Sequence, residues 1–384
     1  MKHVALMFSS RKGGHRFPAL ALQRELSRVR DPSLRVTTIN LLDQTPLADR
    51  LDRLGRWGDL HVTQVWRSGY ARLSRADPVY TGLFRRFLTV VLANHASRRR
   101  WRSALGTTDL IVSLQPEVNC IARWLKRELN VPIHTVVMDY IPHAGWIDPR
   151  LDYYYAGNEM TRDRLIGYGV PAGRIQVTGA PVQPGFENVM RTPVNEHRRR
   201  LNLDPILPTM LLMAGYLGTM VDYPGIIKAL AALNRPLQIL VVTGRNQALY
   251  RALQQQHDPR LRPYYDVPSI HTVMWASDLV ISKPGGMVIA DSLTLGKPMI
   301  LIDPRAGSLQ EVLFADLVEQ QGAAIHLRDA SQIGPVVRSI LDDHERLRRM
   351  AEKARSLGTA NRTAAAVITD HIVRRLTVNK PGLS

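Results

Sequence analysis

The sequence predicts an α/β protein of two domains, each built on a parallel sheet with helices on both faces. Three observations support this fold class. Short apolar segments alternate with amphipathic segments along the chain, which is the order that produces parallel strands joined by helices. The 384 residues leave room for two domains of about 150–200 residues each. A hydrophobic content of 45% is enough to fill a core in each domain.

The predicted strands follow one another through both halves of the chain. In the first half they lie at residues 3–8, 35–41, 109–114, 133–138, 153–157 and 175–178. In the second half they lie at residues 209–214, 238–243, 279–282, 299–302 and 323–326. Helices are predicted between most of these strands. Residues 43–105 interrupt the alternation with a long basic insertion that we expect to be largely helical.

The domain boundary is predicted within residues 184–204, where prolines are combined with the charge run from His197 to Arg200. Residues 1–195 would then form the first domain and residues 196–361 the second. Residues 362–384 contain a last helix, which we expect to pack back on the first domain.

The segment 283–311 carries the most specific candidate site. An apolar strand at 279–282 runs into the turn Lys283, Pro284, Gly285 and Gly286. A helix is predicted from Met287, and N–H groups at a helix start carry positive partial charge, so the turn is suited to binding a diphosphate. Asp291, about one turn into the helix, can accept hydrogen bonds from a ribose. Alone, Pro-Gly-Gly more often marks an ordinary turn that ends a strand.

Polar residues follow two further predicted strands. Gln310 and Glu311, beyond the strand at 299–302, offer groups that can bind sugar hydroxyls. Gly13, Gly14 and His15 follow the first strand of the chain, at the sheet edge where open α/β sheets bind ligands. A histidine there can take a proton from a hydroxyl, or it can simply cap the next helix.

The net charge of +18 is concentrated in one region. Residues 50–102 contain 12 Arg, no Lys, 3 Asp and no Glu, which gives a net charge of +9. Arginines interleaved with aromatic residues are typical of a surface that lies on anionic lipid. A solvated surface and a nucleic-acid surface are the alternatives, and we expect no nucleic acid. The residues predicted to face the membrane are Phe84, Arg85, Arg86, Phe87, Arg98, Arg99, Arg100 and Trp101.

Composition also limits the compartment and the cofactors. Cys120 is the single cysteine of the chain, which excludes an intrachain disulfide and fits a reducing compartment. No secretory leader is recognisable, because a strand is predicted from residue 3. The sequence contains no Asp-x-Asp motif and no metal-ligand spacing. We therefore expect no metal and no cofactor.

The ordered motifs resemble the monogalactosyldiacylglycerol synthase and processive diacylglycerol glucosyltransferase group, within glycosyltransferase family 28. Gly13-Gly14-His15 is similar to the acceptor loop of that group. Residues 134–186, with Asp139 at a strand end, resemble its Thr-Val-Val-Thr-Asp segment and the Gly-x-Pro-Val-x-Pro-x-Phe motif that closes it. Residues 242–246 match its Val-x-x-Gly-Arg-Asn turn, and residues 283–311 resemble its donor site. Two departures are a turn at 214–220 with fewer glycines and an aspartate, Asp291, in place of the group's glutamate.

The resemblance implies the GT-B fold, in which two Rossmann-like domains face each other across a cleft. It also implies an inverting transfer of galactose or glucose from UDP-galactose or UDP-glucose to the 3-hydroxyl of diacylglycerol. The base would be His15 or Asp139. The donor would be bound by Gly215, Gly244, Arg245, residues 283–286, Asp291, Gln310 and Glu311.

Together with the basic region at residues 50–102, the resemblance leads us to expect a peripheral enzyme on the cytoplasmic side of the membrane, with anionic lipids as partners. Three alternatives stay open at this point. They are N-acetylglucosaminyl transfer to a polyprenyl-linked acceptor, a UDP-N-acetylglucosamine 2-epimerase-like isomerase, and a non-catalytic sensor of UDP-sugars.

Overall fold

The structure is a computed structural model. It describes residues 2–9, 16–41, 43–45, 78–93, 95–213, 222–267, 269–303 and 309–378. The predicted α/β fold class is confirmed, because these residues form two units that each contain a parallel sheet covered by helices. Within the described ranges, no helix is both long and apolar enough to cross a membrane.

The first unit comprises the chain up to Pro184 together with the segment from Thr363. Its sheet has six parallel strands in the order β2-β1-β3-β4-β5-β6. These strands are β1 Lys2–Phe8, β2 Leu34–Asn40, β3 Leu110–Ser113, β4 Ile133–Val137, β5 Tyr153–Ala156 and β6 Ile175–Val177. β3 and β4 are buried along their whole length, as expected for inner strands of a parallel sheet. Because the strands are parallel, the carboxyl ends of β1, β3 and β4 lie at one edge of the sheet.

The described residues of the first unit up to Pro184 contain six α-helices. They are α1 Arg16–Arg28, α2 Pro78–Leu92, α3 His95–Leu105, α4 Pro116–Cys120, α5 Ala122–Leu129 and α6 Glu159–Gly167. α2 and α3 form the described part of the basic insertion, which is helical as expected, while residues 46–77 lie outside the described residues. α6 begins where Asn158 Oδ1 accepts a hydrogen bond from the N–H of Thr161 at 2.8 Å.

The second unit, Gly185–Arg362, contains another sheet of six parallel strands, in the order β12-β11-β10-β7-β8-β9. The strands are β7 Thr209–Met213, β8 Gln238–Val242, β9 Leu261–Tyr264, β10 Leu279–Ser282, β11 Met299–Ile302 and β12 Ala324–Leu327. β9 is missing from the sequence-based prediction. It contains Pro263, which cannot donate to a strand ladder and is tolerated here because β9 lies at the edge of the sheet.

Nine described helices surround this sheet, and several of them contribute side chains to the hydrophobic core of the unit. They are α7 Phe186–Met190, α8 Val194–Arg200, α9 Tyr223–Ala231, α10 Gln247–Gln254, α11 Ile270–Ala276, α12 Gly286–Leu295, α13 Leu309–Gln320, α14 Ile333–Asp342 and α15 His344–Leu357. Ile227 and Leu230 of α9 and Val337 of α14 are buried in one cluster with Ile239 and Val241 of β8. This packing supports the strands whose carboxyl ends carry the candidate site.

The segment expected to be a linker is folded as α7 and α8 within the second unit. The units divide after Pro184, earlier in the chain than residue 195. Arg198, from the charge run, is buried rather than solvated. Its guanidinium donates to the Ala276 carbonyl at 2.9 Å and to Asp278 Oδ2 at 2.6 Å. A buried arginine is tolerated when its donors are satisfied in this way.

The last helix, α16 Ala364–Val378, belongs to the first unit and packs on α1. The hydroxyl of Tyr155 makes hydrogen bonds with two histidines. It lies 2.8 Å from Nδ1 of His371, in α16, and 3.0 Å from Nδ1 of His134. Lys2 Nζ also donates to the carbonyl of Leu376. Polar contacts therefore tie α16 to the sheet of the first unit.

Candidate active site

The turn between β10 and α12 leaves a helix start open for an anion. α12 begins at Gly286, one residue before the predicted start, and Gly285 occupies the N-cap position in an extended conformation. Because Gly285 has no side chain, it cannot cap the N–H groups of the first turn. A Cβ placed on Gly285 would meet Lys283 Nζ at 4.0 Å, so the described residues leave space in front of the turn. This arrangement is suited to binding a diphosphate.

Lys283 and Glu311 meet at this turn, although they are far apart in the sequence. Lys283 Nζ donates to Glu311 Oε1 at 2.5 Å, and both side chains are mostly shielded from solvent. Lys283 follows β10, and Glu311 is in the first turn of α13. The pair places a cation and a carboxylate side by side at the carboxyl edge of the second sheet. The assignment of both residues to donor binding stays a prediction.

Asp291 is buried in α12, and its Oδ1 has no hydrogen-bond partner among the described residues. Burial raises the pKa of this carboxyl well above its ordinary value. Burial therefore favours the neutral carboxylic acid, which can both donate and accept a hydrogen bond. A bound hydroxyl would satisfy it, so its assignment to ribose binding stays a prediction that fits the site.

The turn after β8 requires its glycine. Gly244 has a φ of 58°, in the left-handed region that favours glycine. Arg245 Nε donates to Asp266 Oδ2 at 3.2 Å, and Asn246 Oδ1 caps α10 by accepting from the N–H of Leu249 at 2.9 Å. The two sequence-based interpretations of Arg245, diphosphate contact and local capping, therefore stay open, because its exposed pair with Asp266 is compatible with either.

Several predicted site residues lie outside the described residues, namely Gly13, Gly14, His15 and Gly215. The backbone of Gln310 lies in the first turn of α13, but its side chain is outside the described part as well. Their assignments stay predictions.

The segment that leads to Gly13 is anchored where β1 ends. The N–H of Ser9 donates to the side-chain oxygen of Gln115, and Ser9 Oγ donates to Glu117 Oε2 at 3.2 Å. Gln115 and Glu117 follow β3, the strand next to β1. Sequence reasoning missed both residues, because neither belongs to a recognisable motif and only the strand order brings them to this edge.

Asp139 lies two residues after β4 and is held by a tryptophan. Trp146 Nε1 donates to Asp139 Oδ2 at 2.7 Å. Trp146 is fully buried in a short 3₁₀ turn, and its carbonyl accepts from Asn119 Nδ2 at 2.8 Å. Asn119 also donates to Thr135 Oγ1 at 3.2 Å. The carboxylate is therefore positioned by a chain of hydrogen bonds that reaches back into the sheet.

His143, in the same loop, is neutral and structural. Burial lowers its pKa to about 4, although the nearby charge of Asp139 acts in the opposite direction. Its Nδ1 accepts from the N–H of Gly145 at 3.0 Å. A proton then resides on Nε2, and the ring fixes the turn that presents Trp146.

Two aromatic residues predicted to face the membrane are buried instead. Phe84 is 8% exposed and clusters with Cys120. Trp101 is 0% exposed, and its ring lies edge-on to Trp124 with centroids 5.2 Å apart. The prediction is wrong for Phe84 and Trp101, because α2 and α3 use these side chains to pack against the rest of the first unit.

The predicted arginines divide into two groups. Arg85 donates to the Ala144 carbonyl at 3.1 Å, and Arg98 donates to the Ala93 carbonyl at 2.5 Å, so both are partly buried. The remaining predicted residues of this region are exposed, namely Arg86, Phe87, Arg99 and Arg100. Arg85 links α2 directly to the turn that follows Asp139.

α2 presents a row of exposed apolar residues, here called the apolar stripe. Val79, Leu83, Phe87 and Val90 are 71%, 62%, 64% and 67% exposed. Spacings of four, four and three residues place them on one face of the helix. Beside this stripe lies a cavity of about 600 Å³, here called the arginine cavity. Its described lining includes Arg85, Arg86, Arg98, Arg123, Arg127 and Arg150, with Asp148 as an acid.

One group of described side chains has a spacing that would suit a divalent cation. Asp316, Glu319 and His326 offer ligand atoms within 4.8 Å of one another. Both ring nitrogens of His326 face carboxylates, at 2.7 Å from Asp316 and 2.7 Å from Asp303. Hydrogen bonds therefore account for this group without an ion.

Both units match known families. The profile described as monogalactosyldiacylglycerol (MGDG) synthase matches residues 15–182. The profile of the glycosyltransferase family 28 C-terminal domain matches residues 225–370. Together the two matches cover most of both units, including the Asp139 loop and the Lys283–Glu311 site.

Named relatives match both units as well. The processive diacylglycerol β-glucosyltransferase of Bacillus subtilis (strain 168) is 29% identical over 270 residues, 69% of either chain. That of Bacillus pumilus (strain SAFR-032) is 31% identical over 256 residues, 66% of either chain. The chain therefore spans about two thirds of the length of these relatives.

The fold itself has solved counterparts. The glycosyltransferase SnogD from Streptomyces nogalater superposes with a TM-score of 0.63 at 14% identity, over 97% of this chain and 99% of the other. At this identity the likeness concerns the fold, which is GT-B. The family profiles and the relatives carry the closer assignment: the chain belongs to the monogalactosyldiacylglycerol synthase family, within glycosyltransferase family 28.

Proposed function

We propose that the protein transfers a glucose or galactose from a UDP-sugar to the 3-hydroxyl of diacylglycerol, with inversion at the anomeric carbon. The observation that carries the proposal is the open start of α12 beside the Lys283–Glu311 pair. In a chain of this family, these groups match the parts of a nucleotide sugar: diphosphate, ribose and hexose.

The donor half of the reaction depends on stabilising the leaving UDP. Negative charge develops on the diphosphate as the bond to the anomeric carbon breaks. The N–H groups at Gly286 and Met287 and the ammonium of Lys283 are preorganised to interact with that charge. This stabilisation needs no metal ion, and the absence of an Asp-x-Asp motif from the sequence agrees with a metal-independent reaction.

The hexose would lie near Glu311. A carboxylate that accepts from a sugar hydroxyl must be held in place, and Lys283 does this through the 2.5 Å contact. Lys283 also compensates the charge of Glu311 in a site largely shielded from solvent, which reduces the desolvation cost. The pair therefore serves the diphosphate through its cation and the sugar through its carboxylate.

The acceptor half depends on removing the proton of the diacylglycerol hydroxyl. His15 and Asp139 are the two candidate bases. Asp139 follows β4 in the structure, and in the sequence His15 follows β1, whose carboxyl end lies at the same edge of the sheet. The hydrogen bond from Trp146 fixes Asp139 either for proton abstraction or for orienting a neighbouring base.

The acceptor is a membrane lipid, so the enzyme has to work at a bilayer. We propose that the apolar stripe inserts into the cytoplasmic face of an anionic membrane, while the exposed arginines and the arginine cavity attract its head groups. An exposed row of Val, Leu and Phe flanked by Arg is the composition of an interfacial helix. A nucleic acid would not require that apolar row.

An assay of products separates this proposal from its alternatives. The protein is incubated with radiolabelled UDP-glucose or UDP-galactose and diacylglycerol micelles, and the lipid is extracted. Label in a glycosyldiacylglycerol supports the proposal. Label in a free epimerised sugar nucleotide would indicate an isomerase, and binding without turnover would indicate a sensor. A protein that transfers N-acetylglucosamine from UDP-N-acetylglucosamine, and only to an added polyprenyl-linked acceptor, would be an N-acetylglucosaminyltransferase.

A further inference from the structure

The first unit contains a cavity at the amino edge of its sheet, here called the amino-edge cavity. Its volume is about 320 Å³, a size found among small-molecule sites. Its described lining includes Lys2 of β1, His134 of β4, Tyr153 of β5 and Arg375 of α16. His134 is near the start of β4, whereas Asp139 follows the end of that strand. The cavity therefore lies at the opposite edge of the sheet from Asp139.

A chain of hydrogen bonds with a defined direction ends at this cavity. Arg375 Nε lies 3.3 Å from His371 Nε2, and because an arginine can only donate, this nitrogen accepts. The proton of the His371 ring is then on Nδ1, which donates to the hydroxyl of Tyr155 at 2.8 Å. That hydroxyl donates in turn to Nδ1 of His134 at 3.0 Å. The four side chains therefore fix one another's orientation and proton positions.

The chain leaves the second nitrogen of His134 as a donor. Because Nδ1 accepts, the neutral ring carries its proton on Nε2. The ring is neutral because burial lowers the pKa of His134 to about 3. His134 is only 4% exposed, and its ring makes no other hydrogen bond among the described residues. A buried donor without a partner is costly, so an acceptor within the cavity would stabilise this N–H.

Two cations line the same cavity and are held in place by their neighbours. Lys2 Nζ donates to the carbonyl of Leu376. The guanidinium of Arg375 lies over the ring of Tyr153, with Cζ 5.3 Å from the ring centroid. The ring of Tyr153 packs in turn against that of His371, with centroids 4.4 Å apart. Cations that are positioned before a ligand arrives lose less conformational freedom when it binds.

The two acids of the described lining already have donors of their own. Asp109 Oδ2 accepts from the backbone N–H of His3 at 2.6 Å. Asp152 Oδ2 accepts from the N–H of Ile133 at 2.7 Å and from Lys126 Nζ at 2.6 Å. The two cations of the lining, by contrast, form no ion pair within the described part of the chain. The cavity therefore favours a ligand that accepts hydrogen bonds and carries negative charge.

We propose that the amino-edge cavity is a binding site for a small oxyanion, a carboxylate or a phosphate group, held by the Nε2 N–H of His134 and the cations of Lys2 and Arg375. The site goes beyond the proposed transfer reaction, because it shares no residue with the donor site or with the candidate bases. A bound anion would bridge β1 and β4 to α16, and would thereby fasten the last helix to the sheet.

Nitrogen NMR of the full chain, labelled at its histidine rings, observes the site directly. The protein is titrated at neutral pH with sodium phosphate and, separately, with sodium acetate, each against sodium chloride at constant ionic strength. We expect a saturable shift of the Nε2 signal of His134 with at least one of the two anions, because that N–H gains a charged acceptor. His134→Asn identifies the signal.

Arg375→Gln and Arg374→Gln form a matched pair for the same titrations, followed also by calorimetry. Both remove an exposed arginine of α16, but Arg374 pairs with Asp370 and does not line the cavity. Arg375→Gln should weaken anion binding at least about tenfold, the scale of one charge-assisted hydrogen bond. Its amide can still donate to His371, which keeps the hydrogen-bond chain. Arg374→Gln should bind as the wild type does, and melting temperatures verify that both variants are folded.

Three results would overturn the inference. One is a His134 signal that neither anion shifts, and another is equal affinity in Arg375→Gln and Arg374→Gln. The third is a proton on Nδ1 of His134 rather than on Nε2, because the hydrogen-bond chain would then run in another direction. Because these readouts need neither a UDP-sugar nor diacylglycerol, the anion site and the proposed transfer can each fail without the other.

Discussion

At the scale of single residues, the proposed donor site contains a cation and a carboxylate that compensate each other's charge. Lys283 and Glu311 are partly shielded from solvent, so neither charge is well hydrated alone. Removing one partner leaves the other charge partly buried and unpaired. The desolvation cost of that unpaired charge is larger than the net stabilisation that the intact pair provides. Variants of the two residues should therefore behave differently toward UDP and toward the UDP-sugar.

Glu311→Ala should weaken binding of the UDP-sugar more than binding of UDP. A lost hydrogen bond from a sugar hydroxyl to a charged acceptor corresponds to roughly 1.5–3 kcal/mol. Calorimetry with both ligands provides the comparison. Glu352→Ala, which removes an exposed ion pair with Arg348, is the matched control and should change neither affinity. If Glu311→Ala lost as much affinity for UDP as for the UDP-sugar, Glu311 would not be a residue that binds the hexose.

His15→Ala should lower turnover by about 10²–10⁴-fold, the usual scale for a positioned proton-transfer group. Affinity for UDP should stay nearly constant, because the residue belongs to the acceptor half. Steady-state rates with diacylglycerol micelles give the result. An undiminished rate would exclude His15 as the base.

Trp146→Phe reports on Asp139 in the same assay. The substitution retains an aromatic ring but removes the N–H that donates to Asp139 at 2.7 Å. A fall in kcat with unchanged UDP affinity would show that the orientation of Asp139 matters for the reaction. Unchanged kcat together with a large loss in His15→Ala would assign the proton transfer to His15.

Buried histidines of the first unit link its stability to pH. Burial lowers the pKa of His143 to about 4 and that of His134 to about 3. Unfolding returns both rings to an ordinary pKa of about 6.5, so acid favours the unfolded chain. Their contribution is fully present above about pH 6.5 and is lost progressively as pH falls toward those lowered values. The thermal midpoint of unfolding should therefore fall as the pH is lowered from neutral to about 4.

His134→Asn and His257→Asn form a matched pair for this measurement. His134 is buried against Tyr155, whereas His257 is exposed. His134→Asn should flatten part of the acid dependence, and His257→Asn should leave it unchanged. Identical slopes for wild type and His134→Asn would contradict the role assigned to burial.

At the scale of elements, α2 has two faces with different tasks. Phe84 and Arg85 face the unit, while the apolar stripe faces solvent. Leu83→Ser with Phe87→Ser should therefore remove a salt-resistant component of binding to phosphatidylglycerol vesicles, because buried apolar area is not screened. Reversing the exposed arginines to glutamate should remove the salt-sensitive component. The arginines to reverse are Arg86, Arg99 and Arg100.

Co-sedimentation with vesicles at low and high salt checks both effects. The matched control reverses three exposed arginines of the second unit, Arg199, Arg251 and Arg349. That control should bind as the wild type does. Equal loss in the control, or no binding by the wild type, would leave the stripe and its arginines without a membrane role.

The same helices show how far the sequence determines such assignments. The basic insertion was correctly predicted to be helical in its described part. Composition could not tell that Phe84 and Trp101 turn inward, because the direction of a side chain depends on which helix face meets the unit. β9 and the buried Arg198 were missed for a related reason, since each is stabilised by contacts with residues far along the chain.

The candidate site divides in a similar way. The glycine turn at 283–286, the position of Asp139 after a strand and that of Glu311 near a helix start were predictable, because strand-to-helix connections have local signatures. The Lys283–Glu311 contact and the hydrogen bond from Trp146 to Asp139 were not, because they join separate segments.

At the scale of the whole molecule, the proposed reaction draws on different groups from each of the two units. The second unit carries the open helix start for the diphosphate, and the first carries Asp139 and the apolar stripe. Activity in excess EDTA should stay largely intact, because a helix start and Lys283 stabilise the leaving group. Transfer rates before and after chelation give the comparison. Loss of activity that magnesium or manganese restores would contradict metal independence.

The most direct measurement of the proposed transfer is the linkage in the product. The protein is incubated with α-linked UDP-glucose or UDP-galactose and diacylglycerol in vesicles that contain phosphatidylglycerol. The glycolipid is then extracted, and NMR of its anomeric proton gives the configuration. A single displacement predicts a β-linked hexose on the 3-hydroxyl of diacylglycerol, formed only when both substrates are present. An α-linked product, or release of free hexose with no glycolipid, would contradict the account.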